Sequence, residues 1–308
     1  MTATVRRTRP GATVVLGFAA GAAVALAVAV LALTATGGPL TAPKAIVLGA
    51  VEGVTEYLPV SSTGHLLVVE RLLGLGTGSG KAAADTYAVA IQLGAILAVV
   101  ALYRRRIGQM AAGLVGRDRD GRRLLCVLAI AFVPAALVGV LLEQQIKAHL
   151  FGPWPVVAAW VVGALLVLWW RPPAGRLSIE AVPLRGALLI GAAQSLALWP
   201  GVSRSLVTIV AAMAVGCELL AAVELSFLLG LATLSAATVL DLAKHGSTLL
   251  ADYGWVTPLL GGLVAFATAL VAVRWLVAYL RSRPLTIFAW YRLGAAALTT
   301  ALLLGGVM

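Results

Sequence analysis

The sequence predicts an all-α polytopic membrane protein made of inverted-topology repeats, with two re-entrant helical hairpins, about six core transmembrane helices and one extra helix at the N-terminus. Three observations lead there. The 308 residues are 61% hydrophobic and only 11% charged, far from the composition of soluble domains. Several apolar runs reach about 18 residues, enough to cross roughly 30 Å of hydrocarbon, and none alternates as a strand would. Two other apolar stretches are interrupted by Pro, Gly and polar residues, and the interruptions resemble each other.

In chain order, Arg6, Arg7 and Arg9 precede an apolar run over 11–36. That run is longer than the roughly 7–15 residues of a signal-peptide core, which favours a retained helix that starts inside. The adjacent arginines lack the flanking pattern of a twin-arginine signal. Residues 1–41 are therefore read as an extension to a membrane domain over 42–308.

The first interrupted stretch, 43–75, is broken by Pro59 and Gly64. Neither half is long enough to span, and irregular backbone at membrane depth must line protein or a wet cavity. A small-residue loop over 74–80 leads to a span over 86–103. The loop 104–123 carries Arg104, Arg105, Arg106, Arg117, Arg119, Arg122 and Arg123, which marks it as cytoplasmic.

A span over 124–142, an outer loop over 143–153 and a span over 154–170 follow. Arg171, Arg176 and Arg185 mark another inner loop. The second interrupted stretch, 184–216, breaks at Pro200-Gly201. Spans over 219–240, 255–276 and 285–304 complete the chain, which ends outside.

In this layout seventeen of the 23 Lys and Arg lie inside or at inner helix ends. Five lie outside (Lys44, Arg71, Lys81, Lys147, Lys244), and Arg204 stands alone at depth. Such an asymmetry is the positive-inside pattern. It would degrade if either interrupted stretch were a full span. The net charge of +11 therefore reflects topology and not nucleic-acid binding, since the arginines sit in short loops between apolar runs. Cys126 and Cys217 have no metal-like company and read as packing thiols.

Aligning the interrupted stretches on Gly49 and Gly191 sets Glu52 over Gln194, Val60 over Val202, Ser61 over Ser203 and Thr63 over Ser205. A Leu-Gly pair follows in each half, Leu93-Gly94 and Leu229-Gly230. In the predicted topology one hairpin enters from outside and the other from inside, so 52–65 and 200–208 should face one another near the midplane. Chance similarity between Ala/Gly/Leu-rich segments is the competing explanation.

The chemistry concentrates in those two stretches. Glu52 and Glu56 share a helical face. Two carboxylates there would share a proton, bind a cation such as Mg²⁺ or Ca²⁺, or lie beside a cationic side chain. The plain alternative is a wetted helix end. Ser61, Ser62 and Thr63 follow Pro59 where a helix could begin, so capping is one use. With His65 three residues beyond Ser62, a nucleophile and a base on one face is the other.

The second stretch surrounds Arg204 with Ser203, Ser205 and Thr208. A guanidinium flanked by hydroxyls at a helix start suits a phosphate group. A snorkelling arginine is the bland alternative, but such residues lack a hydroxyl cluster.

These residues resemble those of a known family, the undecaprenyl-diphosphate phosphatases of the BacA type. The resemblance runs from about residue 43 to the C-terminus. It is carried by Glu52-Gly-Val-Thr-Glu56-Tyr-Leu-Pro-Val-Ser61-Ser62-Thr63-Gly64-His65, by 91–100 (IQLGAILAVV), and by Pro200-Gly201-Val202-Ser203-Arg204-Ser205. The resemblance implies hydrolysis of a C55 polyprenyl diphosphate to the monophosphate and inorganic phosphate. That reaction regenerates the lipid carrier for peptidoglycan synthesis and confers bacitracin resistance.

It further implies a multi-pass protein of the bacterial plasma membrane whose site opens to the outer face, and dependence on a divalent cation. By position, Glu52 and Glu56 would hold metal or move protons, Ser62 would be the nucleophile assisted by His65, and Arg204 would bind the diphosphate. Ser61, Thr63, Ser203, Ser205 and Thr208 would contact substrate. The implied partners are the lipid diphosphate and the bilayer, with no nucleic acid. Oligomeric state stays open, a homodimer being one arrangement.

The chain departs from the family pattern in three places. Leu206 stands where glycine is usual, Tyr87-Ala88 lacks the usual acid, and the N-terminal helix is additional. A lipid transporter that moves polyprenyl phosphate without hydrolysis is the alternative from another class. A diphosphate-binding paralogue inactivated by Leu206 is a third.

Overall fold

The computed structural model describes residues 40–75, 81–173 and 175–308. The proposed N-terminal helix lies outside the described residues. Within them the chain runs α1 (Ala42–Thr55), α2 (Ser62–Leu72), α3 (Lys81–Leu102), α4 (Arg104–Leu114), α5 (Arg119–Leu150), α6 (Pro153–Trp169) and α7 (Leu184–Gln194). A 3₁₀ turn (Ser195–Leu198) leads to α8 (Arg204–Val215), α9 (Leu219–Tyr253), α10 (Val256–Leu280) and α11 (Thr286–Leu304). Apart from an isolated bridge between Leu177 and Cys217, every regular element described is helical, and the protein is an all-α polytopic membrane protein.

Among the described residues, five helices are long and apolar enough to cross a bilayer: α3 from Ala83, α5, α9, α10 and α11. The expected span at 154–170 forms as α6, whose 17 residues cover about 25 Å at 1.5 Å per residue, the short end of the spanning range. It lies along α11.

Two predicted loops are helical instead. The arginine-rich segment folds as α4, which turns back on the start of α5 where Asp118 caps the Gly121 N–H at 2.8 Å. The outer loop expected over 143–153 is largely the last two turns of a 32-residue α5, and α9 continues to Tyr253. At these extended ends Glu143 meets Lys147 at 2.7 Å and Lys244 at 3.7 Å. At the other end Arg106 binds Glu180 at 2.6 Å and Glu224 at 2.5 Å, and Arg123 donates to the Val182 carbonyl at 3.0 Å. The residues assigned to outer loops thus gather at one end and those assigned to inner loops at the other. Cys217 is buried, whereas Cys126 lies on the exposed side of α5.

The repeat read from sequence organises the packing. Exchanging α1, α2, α3, α6 and α10 for α7, α8, α9, α11 and α5 maps several of the main helix contacts onto each other: α1 on α10 becomes α7 on α5, α3 on α10 becomes α9 on α5, and α1 on α2 becomes α7 on α8. The pairs α3 with α9 and α6 with α11 map onto themselves. The aligned glycines make equivalent crossings. A Cβ at Gly49 would overlap the Gly261 backbone of α10, and one at Gly191 the Ala131 backbone of α5, so each half needs a small residue there for close helix approach.

The two broken helix pairs open in opposite directions along α9. Leu40, Leu73 and Leu75, at the ends of the first pair, cluster with Leu249 near the C-terminus of α9. The second pair ends at its N-terminus, where Gly186 abuts Val215 and the Glu218 N–H donates to the Leu177 carbonyl at 3.1 Å.

Candidate active site

Each broken pair places a helix start at its interruption. In the first, α1 stops at Thr55 and residues 56–60 form turns. Ser61 then adopts φ 75°, ψ 101° and accepts the Gly64 N–H at 3.4 Å. A non-glycine residue at positive φ costs about 1–3 kcal/mol and persists only where its surroundings hold it. In the second, Ser203 accepts the Leu206 N–H at 3.2 Å and α8 begins at Arg204. The aligned serines therefore both act as N-caps, and the first helical residues, Ser62 and Arg204, occupy equivalent positions. Gly64, expected as a break, lies inside α2. It packs against Trp160 and Val156, and a Cβ there would stand 3.2 Å from the Gly201 Cα of the other pair.

Ser62, Glu56 and Arg204 form one array. The Ser62 hydroxyl donates to Glu56 Oε2, and Arg204 Nη2 donates to Glu56 Oε1 at 3.2 Å. Both partners of that ion pair are nearly excluded from solvent, at 10% and 4% side-chain exposure. Breaking such a pair from one side typically costs about 3–5 kcal/mol, because it strands the other charge. Arg204 is held further by the Ser226 carbonyl, 2.9 Å from Nη1, and by the Tyr57 ring, 5.4 Å from its guanidinium carbon. It fits only because position 230 is glycine, where a Cβ would overlap the guanidinium.

The flanking hydroxyls join the two pairs. Ser205 donates to the Leu58 carbonyl at 2.8 Å, Ser203 and Ser205 lie 2.9 Å apart, and Thr208 shares a 2.7 Å bond with the Ser226 hydroxyl. Thr63 is half-buried and makes no side-chain hydrogen bond among the described residues.

Glu52 precedes Glu56 by one helical turn, with the Glu56 N–H bonded to the Glu52 carbonyl at 2.9 Å. Its side chain is fully buried, and neither carboxylate oxygen has a hydrogen-bond partner among the described residues. The aligned Gln194 is also buried and its amide is likewise unpartnered. Buried polar groups without partners are costly, so Glu52 is suited to an added proton or cation. No group of three His, Cys, Asp or Glu side chains able to hold a metal forms among the described residues. The two glutamates could supply part of a Mg²⁺ or Ca²⁺ oxygen shell, the remainder coming from phosphate and water.

His65 makes no hydrogen bond to Ser62 among the described residues. The His65 Nδ1 lies 2.7 Å from the Ser61 carbonyl and its Nε2 2.9 Å from the Tyr291 hydroxyl, so both ring nitrogens are engaged. The ring stacks on Tyr291 and tilts against Trp160. The carboxylate in contact with the Ser62 hydroxyl is that of Glu56. Leu206 is 1% exposed and belongs to the main apolar cluster. Tyr87, beside the missing acid, donates instead to the Ala45 carbonyl at 3.1 Å, joining α3 to α1.

Sequence reasoning missed one cation. Arg292, counted as lying at an inner helix end, is 1% exposed, so Arg204 is not alone at depth. Its guanidinium donates to the carbonyls of Ala159 at 2.8 Å, Gly201 at 3.0 Å, Trp160 at 3.3 Å and Pro59 at 3.5 Å. The signal was present, since Arg292 is the one charged residue of an otherwise apolar span. Ser226 was missed for a different reason, since a single hydroxyl in an apolar run carries no signal of its own.

Known proteins share this organisation in sequence. The family described as Bacitracin resistance protein BacA matches residues 45–298. An undecaprenyl-diphosphatase of Sorangium cellulosum is 48% identical over 261 residues, 82% of this chain and 84% of that protein. Undecaprenyl-diphosphatase 1 of Chromobacterium violaceum is 44% identical over 251 residues (80% and 91%). Undecaprenyl-diphosphatase 2 of Rhodospirillum rubrum is 43% identical over 263 residues (84% and 94%). With most of its length matched by the family and by these relatives, the chain belongs to the Bacitracin resistance protein BacA family.

Proposed function

We propose that the protein hydrolyses undecaprenyl diphosphate to undecaprenyl phosphate and inorganic phosphate, and thereby confers bacitracin resistance. The observation that carries this reading is the array in which one carboxylate, Glu56, meets the Ser62 hydroxyl with one oxygen and the Arg204 guanidinium with the other. A nucleophile, its base and an anion-binding cation are thereby linked at two helix N-termini, whose N–H groups favour phosphate.

In the proposed reaction Ser62 Oγ attacks the terminal phosphorus and Glu56 takes the hydroxyl proton. The bond from that phosphorus to the bridging oxygen breaks, and Glu56 passes the proton to the departing polyprenyl phosphate. Water then attacks the phosphoserine. Glu56 accepts the water proton and returns it to Ser62 as inorganic phosphate leaves. Arg204 offsets charge on the transferred group, the largest contribution available to this kind of chemistry. A divalent cation held by Glu52 and Glu56 would neutralise further phosphate charge. Direct attack by water, with Ser62 only orienting it, is the variant without a covalent intermediate.

The site would open to the outer face of a bacterial plasma membrane, the face from which the first broken pair would enter, with the two pairs acting as re-entrant hairpins. Purified protein with polyprenyl diphosphate and Mg²⁺ or Ca²⁺ should release phosphate. The exchangeable halves of the fold also suit a lipid transporter. That reading prevails if lipid crosses liposome leaflets and no phosphate appears.

A further inference from the structure

Accepting the phosphatase reading, Ser62 and Arg204 must be held at one fixed separation although they start helices on different broken pairs. We infer that Arg292 is the positioning residue that sets this separation, by fastening the two breaks to each other at equivalent carbonyls.

The register is the first argument. Pro59 and Gly201 are aligned in the repeat, and each lies three residues before the residue that opens the next helix, Ser62 in one half and Arg204 in the other. Arg292 donates to both carbonyls, through Nη1 to Pro59 and Nη2 to Gly201. One side chain therefore binds the same point of both repeats.

Two more bonds, Nε to Trp160 and Nη2 to Ala159, anchor it to α6. Carbonyls at an interrupted helix have lost their intrahelical donors and need others. A planar guanidinium with five N–H groups in a fixed fork can serve one such carbonyl in each break and two carbonyls of α6 besides, which an ammonium on a flexible stem cannot.

The second argument is that the charge has no other evident use. Arg292 has no carboxylate partner among the described residues. Its seat is cleared for it, since a Cβ at Gly163 would overlap the guanidinium. The bond from Ser205 to the Leu58 carbonyl is another tie between the pairs. The Glu56–Arg204 ion pair joins the pairs as well, and Arg292 adds ties at a separate point, which restricts pivoting of the two helix starts about those contacts. A misplacement of about 1 Å can cost about 100-fold in rate.

The test compares wild type, Arg292→Ala and Arg292→Lys as purified full-length proteins, by phosphate release and by amide exchange over residues 57–64 and 199–206. Both variants should lose about 30- to 100-fold in kcat with KM within about threefold of wild type, and exchange at both breaks should rise. Low-millimolar guanidinium should restore part of kcat to Arg292→Ala and none to Ser62→Ala.

Wild-type kcat in either variant, a loss confined to KM, or unchanged exchange at the breaks would overturn the inference. So would failure of both variants to fold, which would make Arg292 a residue of fold assembly. If wild type itself releases no phosphate, the phosphatase reading fails, while the exchange comparison still decides whether Arg292 fastens the breaks.

Discussion

The two broken helix pairs follow the same backbone plan and carry opposite chemistry. Each has a close-packed glycine, a buried side chain three residues later, an interruption, a capping serine and a new helix. The first fills this plan with Glu52, Glu56, Ser62 and Thr63. The second fills the same positions with Gln194, Leu198, Arg204 and Ser205. The backbone supplies helix starts and freed amides in both, while side chains make one pair acidic and nucleophilic and the other cationic. A symmetric scaffold thus holds an asymmetric set of side chains, and in the proposed reaction acid and base chemistry would lie on one side of the phosphate and charge neutralisation on the other.

Removing the distinctive group of either pair should have the largest effect. Ser62→Ala and Arg204→Ala should each lower phosphate release about 10³-fold or more, with the protein still folded by thermal melting in detergent. Glu56→Gln should come close behind, at about 10²- to 10³-fold, since it removes the base and leaves Arg204 unpaired.

Displacing a group without deleting it should cost less. Gly230→Ala pushes on the Arg204 guanidinium and should lower kcat about 100-fold, measured at saturating substrate. Making the first pair resemble the second, by Glu52→Gln, should weaken the apparent affinity for Mg²⁺ or Ca²⁺ about 10-fold or more while sparing the Ser62–Glu56 contact, read from a cation titration of activity. The smallest effect on turnover belongs to Leu206→Gly. It should give no gain in kcat but lower thermal stability, because a buried leucine is lost (about 2–5 kcal/mol for truncation to alanine) and a glycine enters a helix (about 1 kcal/mol). A large gain in turnover would restore the idea that Leu206 impairs the site.

Much of this arrangement was legible in the residues. Charge asymmetry and the two interruptions led to the layout, and the alignment on Gly49 and Gly191 set over each other the glycines that make matched helix crossings and the serines that cap both new helices. The limits have physical causes. The arginines of α4 lie with Glu180 and Glu224 at one end of the molecule, but charge counting is blind to whether a polar segment is helical. The extra turns of α5 and α9 lie past the apolar stretch that defines a span.

His65 shares a helical face with Ser62 by spacing, yet its partners come from α11 and from the Ser61 carbonyl, which no local pattern encodes. Glu56 was read mainly as a metal ligand or proton carrier. Its contact with Ser62 arises from the turns over 56–60 folding back, not from helical periodicity. Arg292 was misassigned because a lone arginine in a terminal span suits a snorkelling role equally well until burial is known.

The central claim is that both pairs build one site, and a double-mutant comparison tests it most directly. Phosphate release would be measured for Ser62→Ala, Arg204→Ala and the combined variant. If the residues act as a unit on one phosphate, the combined variant loses no more than about the larger single loss. If the two losses multiply in full, the pairs act independently, and the account of a single site shared between them is wrong.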